Sequence, residues 1–262
     1  MDHELELFIC GTRGTRPISG PEFQEFGGAT VCYVVRRDDY AVVIDCGSGL
    51  YSAGPLLRDC KEIDVLISHL HYDHILGLLS YEVFPEQALI RFVSNFDRWF
   101  GSETLARFMR PPFWPYTPQF GALRSVDPPE TFRLRRGCSV DFIPSNHPDD
   151  AVLMRLNISG RKLCFACDYE HGGKSLDDWV YGCDLLVYDG MYGPTEYPSH
   201  TGWGHSSWTY GCRLALENEV GCLLISHHGP NRDDETLRQE EARAQELFKK
   251  TYFARQGTKL IL

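Results

Sequence analysis

The chain has 262 residues and a formal net charge of −10, with 43% apolar and 24% charged side chains. These proportions are those of an ordinary globular protein, and no run of about 18 apolar residues indicates a transmembrane helix. Nucleic-acid-binding domains usually carry a basic patch, so the charge disfavours long RNA or DNA but leaves a small phosphorylated substrate open. Because we find no repeat, low-complexity tract or linker, we expect one domain over residues 1–262.

The start of the chain and its cysteines indicate in which cellular compartment the protein is expected. Residues 1–4 include two acidic side chains and lead into a strand pattern, whereas a signal peptide needs a basic start and a longer apolar stretch. We therefore expect a cytoplasmic protein whose ten cysteines are mostly buried free thiols. Cys164 and Cys167 have the spacing of a redox or zinc pair. Within a strand, however, that spacing places them on opposite faces.

The first part of the chain predicts strands joined by turns. Residues 4–10 alternate and then become apolar, as in a first strand, and residues 31–36 and 40–44 predict a hairpin. Between them, residues 11–17 (GTRGTRP) contain two glycines whose amides, with Arg13 or Arg16, could hold an anion. A plain turn with solvated arginines is the alternative.

Four residues that can bind a metal follow the apolar run 63–67 within six positions. They are His69, His71, Asp73 and His74. If the strand continues, its alternation points the first two histidines the same way, while the other two residues fall where the chain must turn. Imidazole and carboxylate together suit zinc, manganese or iron rather than calcium.

The rest of the chain alternates predicted strands with helices and loops. Strands are predicted over residues 89–93, 131–135, 139–143, 152–158, 163–167, 185–188 and 222–225, and helices over 75–80, 97–109, from about 208, and 233–250. Four prolines and three aromatics make 110–118 an irregular apolar loop that covers a site or forms an interface, which leaves a homodimer open. Metal-capable residues follow several strands: His147, Asp168 and His227 or His228. Since ligand sites in α/β folds gather at carboxyl ends of strands, these residues could converge on residues 69–74.

The motif His69-x-His71-x-Asp73-His74 after an apolar strand resembles the signature of the metallo-β-lactamase fold of binuclear metallohydrolases. The resemblance implies an α/β protein built as a four-layer αββα sandwich. It also implies two divalent metal ions, with zinc as the first choice and manganese or iron as alternatives. The D-x-G-x-G stretch from Asp45 recurs at this place in such hydrolases, which implies that Asp45 orients a ligand histidine; capping of the next helix is the alternative.

The same resemblance assigns the ligands one at a time. His69, His71 and His147 match the histidines of the first metal. Asp73 and His74 match the ligands of the second, Asp168 matches the bridging aspartate, and His227, or less clearly His228, matches the last ligand. An aspartate bridge favours phosphodiesterases, since the β-lactamases of this fold commonly have a cysteine there.

A segment before the predicted helix at 208 extends the resemblance. Gly204-His205-Ser206-Ser207 is similar to the H-S-T segment of ribonuclease Z-like phosphodiesterases, which carries their non-ligand catalytic histidine. His205 would then protonate the leaving alkoxide; a surface histidine beside a helix cap is the alternative. His205 and Asp73 are the catalytic candidates. The 11–17 stretch is similar to the glycine loop of those enzymes, which makes Arg13 and Arg16 candidate substrate-binding residues.

A departure from the family pattern narrows the expected substrate. Ribonuclease Z carries a basic arm for transfer RNA, and no Lys/Arg-rich glycine arm is found here. The chain is more similar to the phosphoribosyl cyclic phosphate phosphodiesterases. We expect a phosphodiesterase that hydrolyses a small, cyclic phosphodiester or a nucleotide by means of a metal-bridging hydroxide. The alternatives are a thioesterase or lactonase on the same site, a ribonuclease that processes transfer RNA 3′ ends, and a non-catalytic, metal-stabilised binding protein.

Overall fold

A computed structural model of the protein describes residues 4–99, 101–172 and 176–262. The strands are β1 (Glu6–Gly11), β2 (Cys32–Arg37), β3 (Tyr40–Ile44), β4 (Glu62–Leu66), β5 (Leu89–Ser94), β6 (Ala122–Ser125), β7 (Glu130–Arg133), β8 (Ser139–Pro144), β9 (Val152–Ile158), β10 (Arg161–Ala166), β11 (Leu185–Asp189), β12 (Leu223–Ser226), β13 (Thr251–Phe253) and β14 (Lys259–Ile261). The α-helices are α1 (Gly54–Leu57), α2 (Tyr72–Ile75), α3 (Thr104–Phe108), α4 (Asp177–Val180), α5 (Trp208–Glu217) and α6 (Asp234–Leu247). Short 3₁₀ helices cover Pro21–Phe23, Ser48–Ser52, Leu76–Val83, Phe96–Arg98, Gly101–Glu103, Arg135–Gly137 and Tyr197–Ser199.

The strands form two mixed sheets of seven strands each. Their orders are β14-β1-β2-β3-β4-β5-β6 and β13-β12-β11-β10-β9-β8-β7. Strands β3 to β6 run parallel in the first sheet, and β10 to β13 run parallel in the second. In each sheet the loops that leave the parallel strands therefore emerge at one edge.

Alternation along the strands builds the layers. In β3, Tyr40 and Val42 belong to the apolar core between the sheets, whereas Ala41 and Val43 face the outer side of the first sheet. The short helices α1 and α3 cover that outer side, and α4, α5 and α6 cover the outer side of the second sheet. The predicted α/β sandwich with helices on both outer faces is confirmed. The assignment of residues 1–262 to one domain stays a prediction.

Several predicted elements differ from the structure. The helix expected over 97–109 forms only as α3: two 3₁₀ turns precede it, and Gly101, with φ +58°, begins the second turn outside the helical conformation. The helix expected over 75–80 is also replaced, by α2 and a 3₁₀ segment. Strands β6, β13 and β14 were not expected because three or four residues are too few to show a periodicity. Phe100, which falls within the helix predicted over 97–109, lies outside the described residues. So do residues 1–3, which belong to the acidic start of the chain.

The free cysteines and the irregular backbone of residues 110–118 are confirmed, whereas a role of this loop in covering a site or forming an interface stays a prediction. All ten cysteines are free thiols, and Cys164 and Cys167 lie on opposite faces of the second sheet, one in the outer core and one in the inner. Residues 110–118 form no helix or strand, and Phe113 is 84% exposed. In the part of the chain that the structure describes, no helix combines the length and apolar character needed to span a membrane.

Candidate metal centre and active site

Three strand ends turn sharply at the same edge of the sandwich. Asp45, Asp168 and His227 follow β3, β10 and β12, and each has a positive φ between 54° and 56°. Non-glycine residues adopt this conformation at an energetic cost, and they persist where the surrounding structure holds them. Each of these side chains therefore leaves its strand through a strained backbone turn.

The histidines of the sequence motif converge with His147. The rings of His69 and His71 lie 4.3 Å apart, and the His147 ring lies 5.0 Å from that of His69. Strand β4 ends at Leu66, so the loop beyond the strand, and not strand alternation, brings these rings together. One ring nitrogen from each of His69, His71 and His147 lies within 4.8 Å of the others, a spacing that could hold a metal ion.

A second group forms around His74. Asp73 and His227 each offer an atom within the same 4.8 Å limit, and His69 with Asp168 forms another such group that includes His74. The His227 ring nitrogen Nε2 lies 3.3 Å from Asp73 Oδ2 and 3.2 Å from Asp168 Oδ2. The group of His69, His74 and Asp168 shares one residue with each of the other two groups, so the histidines and aspartates form one continuous cluster.

Asp168 occupies the centre of this cluster. Its Oδ2 atom lies 2.9 Å from His74 Nε2 and 3.2 Å from His227 Nε2. Its Oδ1 atom faces the other side, 3.8 Å from His147 Nε2 and 3.7 Å from His205 Nδ1. The two oxygens of one buried carboxylate are thus directed at two different sets of partners.

Unpaired buried atoms show that the cluster fits metal ions. Asp168 Oδ2 and the Nε2 atoms of His69 and His74 are inaccessible and form no directed hydrogen bond with another group. The opposite ring nitrogens are held: His74 Nδ1 lies 2.9 Å from Asp45 Oδ2, and His69 Nδ1 lies 3.0 Å from Ser68 Oγ. Metal-bound histidines are typically anchored in this way through the nitrogen that does not bind the ion. Asp45 therefore lies against a histidine, as the resemblance implied.

The charges favour a cation in the cluster. Burial by itself would lower the pKa of His74, but the carboxylates of Asp168, Asp45 and Asp73 raise it well above its usual range. Burial would likewise raise the pKa of Asp168, yet the neighbouring His227 and His74 hold it well below its usual range. Burial lowers the pKa of His69 and of His147, which keeps neutral, ligand-competent imidazoles at these positions.

His205 borders the cluster, and its partner Asp189 is a residue that sequence reasoning missed. The His205 Nδ1 atom lies 2.9 Å from Asp189 Oδ2. Burial alone would lower the pKa of His205, but Asp189 and Asp168 raise it to about 9. Asp189 is the last residue of β11, and other acidic residues likewise lie at strand ends in this chain. This position was therefore the signal by which the sequence could have nominated Asp189 as a site residue.

The loop that carries His205 depends on a second missed residue, Glu170. Its carboxylate accepts hydrogen bonds from the amides of Gly202 and Gly204, at 2.6 and 2.8 Å, and from the Tyr197 hydroxyl at 3.0 Å. The carbonyl of Gly204 in turn lies 2.7 Å from His147 Nδ1. Glu170 thereby fixes the loop that holds both His147 and His205, although no local pattern distinguishes it from other acidic residues.

The loop over residues 11–17 lies at the cluster, but Arg13 points away from the cleft. Arg13 is fully buried, and its guanidinium donates to the carbonyls of Gly27, Gly229 and Arg232. The structure therefore does not bring Arg13 to the cleft, because its Nε and Nη1 atoms donate to backbone carbonyls. Arg16 is exposed and does not line the cleft, so its substrate role stays a prediction.

The same loop instead supports the candidate ligands. The amide of Thr15 donates to Asp73 Oδ2 at 2.6 Å. A Cβ atom at Gly14 would lie 2.3 Å from the His227 ring, so only glycine allows the loop to approach this closely. The predicted glycine loop thus contacts the cluster, with backbone groups directed at side chains.

The two adjacent histidines after β12 separate into different environments. His227 joins the cluster, whereas the His228 Nε2 atom lies 3.0 Å from the Ala254 carbonyl and its ring packs against Phe26 and Phe253. The alternative that His228 joins the cluster is therefore wrong. The positive φ of His227 turns the two side chains apart.

A cleft of about 670 Å³ opens over the cluster. It is lined by Thr15, Leu70, His71, Tyr72, Asp73, His147, Pro148, Asp168, Tyr192, Trp203 and His205. Among these described lining residues there is no lysine or arginine. A bound phosphate would therefore depend on cations and on His205 for charge neutralisation.

The layered sheets and the histidine–aspartate cluster at their edge define a metal-dependent hydrolase of the metallo-β-lactamase fold. The chain belongs to the β-lactamase superfamily: the family model described as "Beta-lactamase superfamily domain" matches residues 40–228. A curated relative, ribonuclease Z of Saccharolobus solfataricus, is 22% identical over 276 residues, covering 88% of this chain and 90% of the relative.

Two solved structures have the same fold. The metallo-β-lactamase fold protein YhfI from Bacillus subtilis superposes with a TM-score of 0.76 at 17% identity, over 100% of both chains. A diphosphatase from the PhnP family superposes with a TM-score of 0.71 at 17% identity, over 99% of this chain and 97% of the diphosphatase. Both likenesses extend over nearly the whole length of each chain.

Proposed function

We propose that this protein is a binuclear metal-dependent phosphodiesterase that acts on a small phosphodiester. The observation that supports this most directly is the orientation of Asp168, whose two oxygens face opposite sides of the cluster. A carboxylate placed in this way can bridge two cations. The relatives named ribonuclease Z and the PhnP-family diphosphatase act on phosphate esters or anhydrides, which supports the same reaction class.

The residues divide into two sets around Asp168. His69, His71 and His147 would hold one ion, and Asp73, His74 and His227 would hold the other, with Asp168 shared. Zinc is the first choice because imidazole and carboxylate ligands suit it, although manganese and iron accept the same ligands. When bound, the two ions would activate the attacking water and neutralise the phosphate oxygens.

The protein's own contribution beyond the ligands is proton transfer to the leaving oxygen. Asp189 holds His205 through Nδ1, which leaves Nε2 as the nitrogen that delivers the proton. Burial alone would lower the pKa of His205, but the carboxylate of Asp189 raises it above its usual value and thereby favours the protonated ring. His205 therefore acts as the general acid, and Asp189 as the residue that orients it and stabilises its charge.

A small substrate fits the charge of the molecule better than a long nucleic acid does. The net charge is −10 and no lysine or arginine is among the described residues that line the cleft, so apart from His205 and the proposed cations little in the cleft would attract a polyanion. The relatives named ribonuclease Z nevertheless support RNA as the substrate. A transfer RNA precursor is thus the second candidate substrate, and it is distinguished by binding that weakens steeply with salt.

The test measures hydrolysis of two phosphodiesters by zinc-loaded protein. Bis(p-nitrophenyl) phosphate has a leaving group that needs no proton, whereas a nucleoside 2′,3′-cyclic phosphate has an alkoxide leaving group. We expect Asp168→Asn to abolish both activities. His205→Asn should slow the cyclic substrate by about a hundredfold and the nitrophenyl substrate far less.

Matched controls separate this mechanism from its rivals. Asp127→Asn changes an exposed aspartate that pairs with Arg98 away from the cleft, and it should leave both activities unchanged. Full activity of Asp168→Asn would refute the binuclear mechanism. Hydrolysis of thioesters or lactones with none of phosphodiesters would assign the site to the rival hydrolase class, and no turnover of any of these substrates would indicate a binding protein.

A further inference from the structure

A tryptophan is displayed at the mouth of the cleft. Trp203 lines the cleft with 62% of its surface exposed, and Tyr72, 69% exposed, lines it as well. Large aromatic side chains gain much free energy by burial, so a folded chain usually packs most of their surface. Exposure of two such rings beside a candidate active site indicates a surface that is covered when a ligand binds.

The backbone on both sides of Trp203 is fixed. Gly202 and Gly204 have φ values of +89° and +82°, and the amides of both donate to the Glu170 carboxylate. Glu170 is itself buried and also accepts from the Tyr197 hydroxyl. The indole is therefore presented from a preorganised loop, which lowers the entropic cost of binding against it.

Trp203 is the outer member of a row of rings that leads to His205. The Trp203 and His200 ring centroids lie 4.9 Å apart, and His200 stacks on Tyr192 at 4.4 Å with an interplanar angle of 21°. The Tyr192 ring lies 6.2 Å from that of His205. Tyr192 and Trp203 line the cleft on the side of the proposed proton donor and His200 packs between them, and we call these three rings the aromatic wall.

We propose that the aromatic wall stacks against a nucleobase carried by the leaving-group half of the substrate. The proposal rests on the phosphodiesterase function above, because His205 marks the side on which the leaving oxygen departs. Planar bases stack on aromatic side chains irrespective of their sequence identity, and each such contact contributes strongly to affinity. A nucleoside phosphodiester would thus place its phosphate at the Asp168 cluster and its base against Trp203.

A matched pair of substrates tests this directly. Adenosine 2′,3′-cyclic phosphate and the 2′,3′-cyclic phosphate of 1-O-methylribose share the reacting group and differ in the base. For Trp203→Ala we expect kcat/KM on the adenosine substrate to fall about tenfold or more, mainly through KM, with no change on the base-free substrate. Trp203→Phe should retain most of the activity. Tyr252→Ala, which removes an exposed aromatic on β13, is the matched control.

A binding measurement without metal separates this proposal from the proposed function. Adenosine monophosphate should quench the tryptophan fluorescence of the wild-type protein, ribose 5-phosphate should not, and Trp203→Phe should lose the quenching. Base-dependent quenching without hydrolysis of either substrate would support the aromatic wall and refute the phosphodiesterase. Hydrolysis of both substrates with equal losses, or no loss, in Trp203→Ala would refute the aromatic wall and leave the phosphodiesterase standing.

Discussion

The Nδ1 atom of His205 lies 2.9 Å from Oδ2 of Asp189, whose side chain has no exposed surface. The second carboxylate oxygen, Oδ1, accepts from the amides of Met191 and Ser206 at 3.0 and 3.2 Å. Asp189 is therefore held by the backbone on one side and holds the imidazole on the other. This geometry sets both the tautomer and the orientation of His205.

We expect Asp189→Asn to lower kcat on an alkyl phosphodiester by about a hundredfold, because the amide cannot stabilise the charged imidazole of His205. The loss should be small on bis(p-nitrophenyl) phosphate, and KM should change little. Steady-state kinetics on the two substrates measure this. An equal loss on both would assign Asp189 to the metal ligands instead, and the melting temperature shows whether the variant is folded.

Metal binding should be visible as stability. Because the ligand set exists only in the folded protein, zinc at a hundredfold excess over its Kd stabilises the fold by about 2.7 kcal/mol. For a chain of this length that raises the Tm by roughly 5–10 °C. Differential scanning fluorimetry with zinc and with chelator measures the shift. Asp168→Asn should lose most of it and Asp127→Asn should retain it, whereas an equal shift in Asp168→Asn would place the binding elsewhere.

The close approach of the 11–17 loop to the cluster predicts an asymmetry between two glycine substitutions. A Cβ atom at Gly14 would meet the His227 ring at 2.3 Å, whereas at Gly54 the nearest atom lies 3.9 Å away. Gly14→Ala should displace His227 and lower zinc affinity about tenfold or more. Gly54→Ala should bind zinc as the wild type does. Competition with a chromophoric chelator measures both, and unchanged affinity in Gly14→Ala would exclude His227 as a ligand.

Acid stability should depend on Asp141, which lies outside the cluster. Burial tends to raise its pKa, but hydrogen bonds from Thr131, Arg155 and Asn157 outweigh burial and lower the pKa below its ordinary value. A depressed folded-state pKa contributes stability that is complete above the unfolded pKa of about 3.9 and is lost as pH falls through the folded value. Asp141→Asn should therefore cost about 1 kcal/mol at pH 7 and much less at pH 3.

Urea unfolding with chelator present throughout measures this difference without a contribution from metal release. Asp127→Asn serves as the exposed control, with its side chain 82% accessible. A gap between wild type and Asp141→Asn that stays constant from pH 7 to pH 3 would contradict the assignment.

Much of the architecture was predictable because it depends on local patterns. The hairpin β2–β3 and the strands β9 and β10 lie within a residue or two of their predicted bounds, since alternation and turn residues are short-range signals. The prediction of one helix over 97–109 failed because it was based on apolar spacing alone, which does not take account of a glycine that breaks the helix. The very short strands β13 and β14 are defined by their neighbours in the sheets, which no local pattern encodes.

The candidate site likewise contains residues that the sequence could nominate and contacts that it could not predict. Residue type and position after a strand were enough to nominate His69, His71, Asp73, His74, His147, Asp168 and His227. His205 was nominated by the resemblance of its segment to the H-S-T segment of ribonuclease Z-like enzymes, and the structure brings all eight residues to one edge. Arg13 was nominated by its place beside glycines, yet its side chain turns into the core to reach carbonyls of Gly229 and Arg232. Those carbonyls are more than 200 positions away, so no local pattern could anticipate them.

The sequence by itself determined the class of fold and nominated the residues of the cluster, because strand periodicity and the residue types that follow each strand are local features. Only the tertiary structure decided which neighbours act together. It paired His205 with Asp189, anchored Trp203 through Glu170, and separated His227 from His228. Each of these depends on contacts between loops that leave different strands, and such contacts exist only after the two sheets have packed.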